Sequence, residues 1–218
     1  MEQAGGFAQI LTEGSSQLGL SLTAGHLSQF TVHLRELQAW NKKINLTAIR
    51  NERDIAVKHF LDSLACSKAM AEAPSTPFLD IGTGAGFPGL PLKVLYPGLH
   101  VTLLEPNQKK TAFLRHVIGT LHLTDVMALS KRLEDLAKDL DYHGRFGHII
   151  TRAVDAIQIL PFIKPLLHLH GQVILCRSKP LEAHWDLGGL ELGREIFYEL
   201  PYGYGKRVLS ILRPVSAR

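Results

Sequence analysis

Leu27, Phe30, Leu34, Leu37 and Trp40 recur at intervals of three and four residues. That period puts them on one face of a helix, and it predicts an amphipathic helix ending near Asn41. Ile44-Asn45-Leu46-Thr47 reads as a connector. A second helix is expected from about Glu52 to Met70, with Asn51 as its N-cap and Glu52 and Asp54 suited to the positive first turn. Pro74 and Pro77 close this helical region. Before Leu27, the small residues Gly5, Gly6, Gly14, Ser15, Ser16 and Gly19 indicate a loosely ordered arm over residues 1–22, with at most one short helix.

From Phe78 the period changes. Short apolar runs are expected as strands at Phe78–Ile81, Val101–Glu105, Val126–Leu129, Phe146–Thr151 and Gln172–Cys176. Helical stretches alternate with them at Gly89–Leu95, Asn107–Gly119, Leu133–Asp139 and Ala156–Leu167, the last blemished by Pro161 and Pro165. Two final strands, Glu195–Leu200 and Arg207–Leu212, are separated only by Pro201–Gly205. Repeated strand–helix units imply a parallel α/β sheet covered on both faces. A short turn joins only antiparallel neighbours, so the last strand is expected to run against the rest. Such a sheet binds its ligand at the carboxyl ends of its strands.

Composition narrows the class. Of 218 residues, 45% are hydrophobic and 20% charged, enough for one sizeable core. The division expected is an arm over 1–22, a helical extension over 23–73 and a ligand-binding domain over 74–218, the last two forming one compact unit. The net charge of +4 permits a nucleic-acid partner without demanding one. Cys66 and Cys176 belong to no C-x-x-C pair and read as two free thiols in a reducing compartment. Met1–Gln9 lacks a basic and apolar leader pattern, and no apolar run is long enough to span a bilayer, so a soluble cytoplasmic protein is expected. No long exposed heptad argues for a coiled-coil partner, and a monomer is expected.

The candidate chemistry sits on Asp80-Ile81-Gly82-Thr83-Gly84-Ala85-Gly86, between a strand and a helix. Small residues let a backbone approach a ligand closely, and the helix start offers free N–H groups. Three ligands compete for the loop. A nucleoside triphosphate loop ends in Gly-Lys-Ser/Thr, but this one runs into Phe87-Pro88-Gly89. Gly84-x-Gly86-x-x-Gly89 matches a dinucleotide fingerprint, with Glu105 at about the expected distance, but it starts four residues beyond Asp80. S-adenosylmethionine suits the set better. Asp80 can serve its ammonium region, the backbone of Gly82 and Gly84 can approach the methionine moiety, and Glu105 can accept from both ribose hydroxyls. Leu133 and Glu134 are candidates to read an adenine edge, although a charged helix start explains Glu134 equally well.

Four stretches taken together resemble a known family: Trp40–Thr47 with its Asn-Leu-Thr, His59-Phe60-Leu61-Asp62-Ser63, Asp80–Gly89 and Thr151-Arg152-Ala153. They look like the bacterial glucose-inhibited division protein B family, and the likeness runs from about residue 27 to the end of the chain. The resemblance implies a Rossmann-like class I methyltransferase sheet with a helical N-terminal extension. It implies methyl transfer from S-adenosylmethionine to N7 of one guanine of 16S ribosomal RNA near the decoding site. Gly82, Phe87, Leu133, Glu134 and Arg152 match the family's cofactor-contacting positions. Phe87 stands where many members carry leucine, Glu105 where aspartate is common, and Pro180 where glycine more often follows the lysine.

Guanine N7 carries an in-plane lone pair and no proton, so no general base is expected. The protein's task is to hold N7 in line with the methyl group. Arg152, closing the fourth strand, is the leading candidate to contact the cofactor carboxylate or position RNA. His59, Asp62 and Ser63 share a helix face by their spacing. No nucleophile elbow supports a hydrolase. With the resemblance, these residues and Asn45 are expected to line the guanine or cofactor entrance. Arg132, Lys179 and Arg207, near strand ends or loops, are expected on a face toward 16S ribosomal RNA or the small subunit. His168 and His170 lack a third ligand at metal spacing, and no metal is expected. An NAD-dependent oxidoreductase and a non-catalytic RNA-binding module remain the alternatives.

Overall fold

The computed structural model describes residues 6–70, 77–152, 156–182 and 184–215. Pro74, Ala153 and the first five residues of the expected arm lie outside them. Among the described residues, one sheet contains β1 (Phe78–Ile81), β2 (Val101–Leu104), β3 (Val126–Leu129), β4 (Phe146–Arg152), β5 (Leu167–Arg177), β6 (Leu190–Glu199) and β7 (Lys206–Pro214). Their order is β3-β2-β1-β4-β5-β7-β6. The first five pair in parallel, while β7 is antiparallel to both its neighbours. The direction of strand order reverses between β1 and β4, which opens a crevice at their carboxyl ends.

Helices α1 (Phe7–Gln17) and α2 (Ala24–Asn41) precede a composite helix over residues 52–69. The composite starts as α3 (Glu52–Ile55), widens into a π segment (Ala56–Leu61), continues as α4 (Asp62–Ala65) and tightens into a 3-10 turn (Cys66–Ala69). Asn51 caps it through Asp54 N–H at 3.2 Å, as expected from the sequence. The regular spacing did not signal the π segment, a feature that often marks functional sites. Later come α5 (Gly89–Leu95), α6 (Gln108–Thr120), α7 (Leu133–Lys138) and α8 (Ala156–Ile163). No helix among the described residues is long and apolar enough to cross a membrane.

Strand alternation divides the core between the two faces of the sheet. Phe78, Leu103, Ile150 and Ile174 bury against the N-terminal helices, α5 and α6. Leu79, Leu104, Ile149 and Val173 bury against α7 and α8. By the same parity Asp80 and Arg152 enter the first layer, where the site forms.

Two expectations need correction. The described part of the 1–22 arm is not loose. Phe7, Ile10, Leu11 and Leu18 are buried, and the Phe7 ring meets the Phe60 ring edge-on at 5.1 Å. Gly14, which reads as a loop residue, lets α1 lie directly on the Leu61 side chain, where a Cβ would collide. The helix expected through Leu167 ends at Ile163. Pro165 sits in a 3-10 turn (Lys164–Leu166), and β5 begins at Leu167, so His168 and His170 lie on a strand.

Leu11 has no exposed surface. Leu11→Ala is expected to lower the unfolding free energy by about 2–5 kcal/mol in urea titration. A loss below about 0.5 kcal/mol, the range of exposed sites, would return α1 to the status of a loose arm.

Candidate active site

Arg152, at the end of β4, gathers the site. Its guanidinium donates to the Lys58 carbonyl (2.8 Å), the Asp62 carboxylate (3.2 Å) and His59 Nδ1 (3.2 Å). Both members of the Arg152–Asp62 pair are largely removed from solvent, with side-chain exposures of 15% and 11%. The other Asp62 oxygen accepts from the Tyr198 hydroxyl at 2.9 Å, with Arg207 Nε 3.8 Å away. His59 and Asp62 therefore do share a face, despite the wider π turn between them. Ser63 does not join them, because its hydroxyl donates back to the His59 carbonyl.

Only a lone pair on His59 Nδ1 can accept from an arginine, so the ring proton sits on Nε2. That N–H donates to Thr47 Oγ1 at 2.8 Å. Thr47 belongs to the Asn-Leu-Thr stretch, and the Asn41 side chain fixes the connector by bonding Leu46 and Thr47 backbone groups. Asn45 is exposed on the same connector and makes none of these contacts.

The Phe87 ring lies between the His33 and His59 rings, with both centroid distances 4.8 Å and interplanar angles of 12° and 15°. Arg152 sits 5.8 Å over the same ring. His33 also bonds the Ala85 carbonyl at 3.0 Å. The glycine loop is thus clamped to α2 and to the 52–69 helix. His33 belongs to no recognised motif. Its one signal is its position on the buried face of α2, between Phe30 and Leu37.

The loop itself discriminates among ligands. Asp80 is fully buried, and its Oδ2 accepts from Thr83 Oγ1 (2.6 Å) and Gly89 N–H (2.8 Å). The expected free N–H at the start of α5 is therefore occupied by an internal carboxylate, which disfavours a pyrophosphate there. Gly89 must be glycine, since a Cβ would stand 2.8 Å from Asp80 Oδ2. Gly84 differs. Its φ is +59°, and a Cβ would meet only the Gly82 carbonyl, at 4.0 Å, so this glycine leaves space for a ligand. Asp80 Oδ1 is buried and has no hydrogen-bond partner among the described residues. Burial raises the Asp80 carboxyl to about 6. Glu105 accepts Gly84 N–H (3.1 Å) through one oxygen and Asn107 N–H (2.9 Å) through the other.

Two cavities flank the crevice. One of about 230 Å³ is lined by Gly82, Leu104, Arg132, Leu133 and Glu134. The other, about 520 Å³, includes Asp62, Arg152, Arg177, Lys179, Tyr198 and Arg207 in its walls. Lys179 and Arg207 thus converge, while Arg132 lies at the smaller cavity. Arg177 and Tyr198 join the larger cavity without any motif to announce them.

The buried histidines are neutral at neutral pH. Burial lowers His33 to about 4, and burial with the neighbouring Arg152 charge lowers His59 to about 3. An unfolded histidine protonates near about 6.5, so acid favours the unfolded chain and stability falls with pH. Asp80 acts oppositely, because its folded form takes up a proton first, near pH 6. His33 and His59 against Asp80 leave a net loss of about 1 kcal/mol per pH unit between about pH 6 and about pH 4, to which His148, also lowered by burial, adds in the same direction, and urea unfolding measures the slope. Stability that rises on acidification over that range would contradict these assignments.

Known proteins resemble this chain in sequence and in fold. A family model described as GidB, rRNA small subunit methyltransferase G, matches residues 26–188. A ribosomal RNA small subunit methyltransferase G from Pelotomaculum thermopropionicum is 37% identical over 96% of this chain and 91% of its own. A protein of the same name from Roseiflexus castenholzii is 40% identical over 91% and 87%. In fold, a variant of MtNAS solved with S-adenosylmethionine superposes with TM-score 0.61 at 15% identity, over 87% of this chain and 74% of that one. A SAM-dependent methyltransferase from Aquifex aeolicus gives 0.53 at 14%, over 72% and 92%. The sheet with its two layers of helices is thus that of S-adenosylmethionine-dependent methyltransferases, and the chain belongs to the GidB family of ribosomal RNA small subunit methyltransferases.

Proposed function

We propose that this chain transfers the methyl group of S-adenosylmethionine to N7 of one guanine in 16S ribosomal RNA, within the small subunit or its free RNA. The observation that carries the cofactor is the loop. It fills its helix start with Asp80 and keeps Gly84 open, so it suits a ligand with an amino-acid tail better than one with a pyrophosphate. Asp80 and the backbone of Gly82 and Gly84 would hold the methionine part, Glu105 the ribose, and Leu133 and Glu134 the adenine. When bound, the cofactor supplies an electrophilic methyl on a sulfonium.

The residues around Arg152 position the acceptor. Guanine N7 needs no base, and neither buried histidine has a proton-transfer role at neutral pH. Among the described residues, the walls of the larger cavity carry Arg152, Arg177, Lys179 and Arg207 against one carboxylate, Asp62, in keeping with an RNA backbone beside it. Arg152 aligns the acceptor, while His59 and Asp62 hold the guanidinium plane. Arg132 meets RNA from the cofactor side, and Asn45 from the exposed connector. The 23–73 extension and the 74–218 domain work as one unit, because the Arg152 clamp spans them.

Calorimetric titration is expected to show binding of S-adenosylhomocysteine and none of NAD. NAD binding without S-adenosylhomocysteine binding would favour an oxidoreductase. Arg152→Lys keeps the charge but loses the planar fork, and is expected to lower kcat/KM for tritiated methyl transfer by about 10- to 100-fold. Full retained activity would remove Arg152 from its role. RNA affinity is expected to fall steeply with salt, and a flat response between about 50 and 200 mM would dismiss the basic cavity as an RNA face.

A further inference from the structure

The two cysteines, expected as unrelated thiols, are neighbours. Cys66 and Cys176 are 110 residues apart in sequence, yet their Sγ atoms stand 3.4 Å apart. Cys66 opens the 3-10 turn one turn beyond Asp62, and its thiol donates to the Asp62 carbonyl at 3.4 Å. Cys176 is the β5 register partner of Arg152. It is also part of the wall of the 520 Å³ cavity, whereas Cys66 is fully enclosed. The dithiol therefore lies directly behind the clamp, bridging the helix of His59 and Asp62 to the strand beside Arg152.

We propose that Cys66 and Cys176 are a redox modification site, a reversible disulfide that slows methyl transfer when the chain meets a peroxide. A disulfide needs an S–S separation of about 2.05 Å, so the sulfurs have roughly 1.3 Å to close from their 3.4 Å contact. The peroxide reaches Cys176 through the cavity. The Cys176 sulfur attacks one peroxide oxygen, the S–O bond forms, the O–O bond breaks, and water leaves with the thiol proton. The Cys66 sulfur then attacks Cys176 Sγ. The S–S bond forms, the S–O bond breaks, and a second water carries off the Cys66 proton. Two thiols are oxidised and one peroxide is reduced to two waters. Cys66 is enclosed, and the contact with Cys176, then burial, pushes its thiol well above its ordinary range, so the first attack falls to Cys176 at the cavity wall.

Closure draws the 3-10 turn toward β5 and removes the thiol donor from the Asp62 carbonyl. Both changes act on the clamp holding Arg152. The effect on transfer rests on the acceptor reading of the larger cavity, while formation of the bond does not.

The test treats the full chain with hydrogen peroxide, maps peptides without reduction, and measures methyl transfer to small subunits. The expected result is a Cys66–Cys176 linked peptide and transfer lowered by roughly tenfold or more, the scale of a displacement near 1 Å in a positioned site. Dithiothreitol restores both readings. Cys66→Ser, normalised to its own untreated rate, is expected to form no link and to lose the inhibition. Cys176→Ser serves the same purpose if the buried Cys66 change prevents folding. Two titratable thiols after peroxide, or linked protein at full rate, would overturn the proposal. Reduced protein that transfers no methyl would instead refute the methyltransferase reading and with it the inhibition. The linked peptide alone decides whether the pair is a redox site.

Discussion

A nearly buried guanidinium organises this molecule. Arg152 must find acceptors for its donors away from water, and it finds them on the 52–69 helix. Its ion pair with Asp62 adds little net stability by itself, since both charges lose hydration. Breaking it is another matter, because removal of one partner from a buried pair leaves an uncompensated charge and costs about 3–5 kcal/mol. Asp62 in turn engages Tyr198 on β6 and approaches Arg207 on β7. The helical extension, the centre of the sheet and its antiparallel edge are thereby tied to a single charge pair at the ligand crevice.

The glycine loop is coupled to that pair through Phe87, which stacks between His33 and His59 beneath Arg152. The loop is prearranged by neutral contacts on one side and by the Asp80 carboxylate on the other. Using a carboxylate to fill the helix start has a chemical consequence. It makes the loop a poor host for phosphate while leaving in place a buried carboxylate oxygen that has no partner among the described residues. A positioned acceptor without a general base matches the chemistry of a nitrogen lone pair, which needs alignment more than deprotonation.

Much of this is legible in the sequence. The bounds of β1 and α5 follow from apolar runs punctuated by glycine and proline, and those of β3 from a short apolar run between the polar residues Asp125 and Ser130. Asp80, Arg152, His59 and Asp62 stand out by strand-end position, helical spacing and family resemblance. Other features depend on tertiary partners. Gly14 reads as a loop residue, yet it permits close helix packing on Leu61. Phe87 reads as a departure from leucine, and its reason is visible only once His33 and His59 flank it. Tyr198 lies on a strand distant in sequence from Asp62, and no local pattern links them. Cys66 and Cys176 have no motif because the fold, not the spacing, brings their sulfurs together.

Mapping the methylated product tests the central claim most directly. Small subunits lacking the modification would be incubated with the protein and S-adenosylmethionine carrying a tritiated methyl, and the labelled 16S RNA would be digested to nucleosides. Label is expected in 7-methylguanosine from one position near the decoding site. Label on a base carbon or an exocyclic amine, or label spread over many guanines, would contradict it.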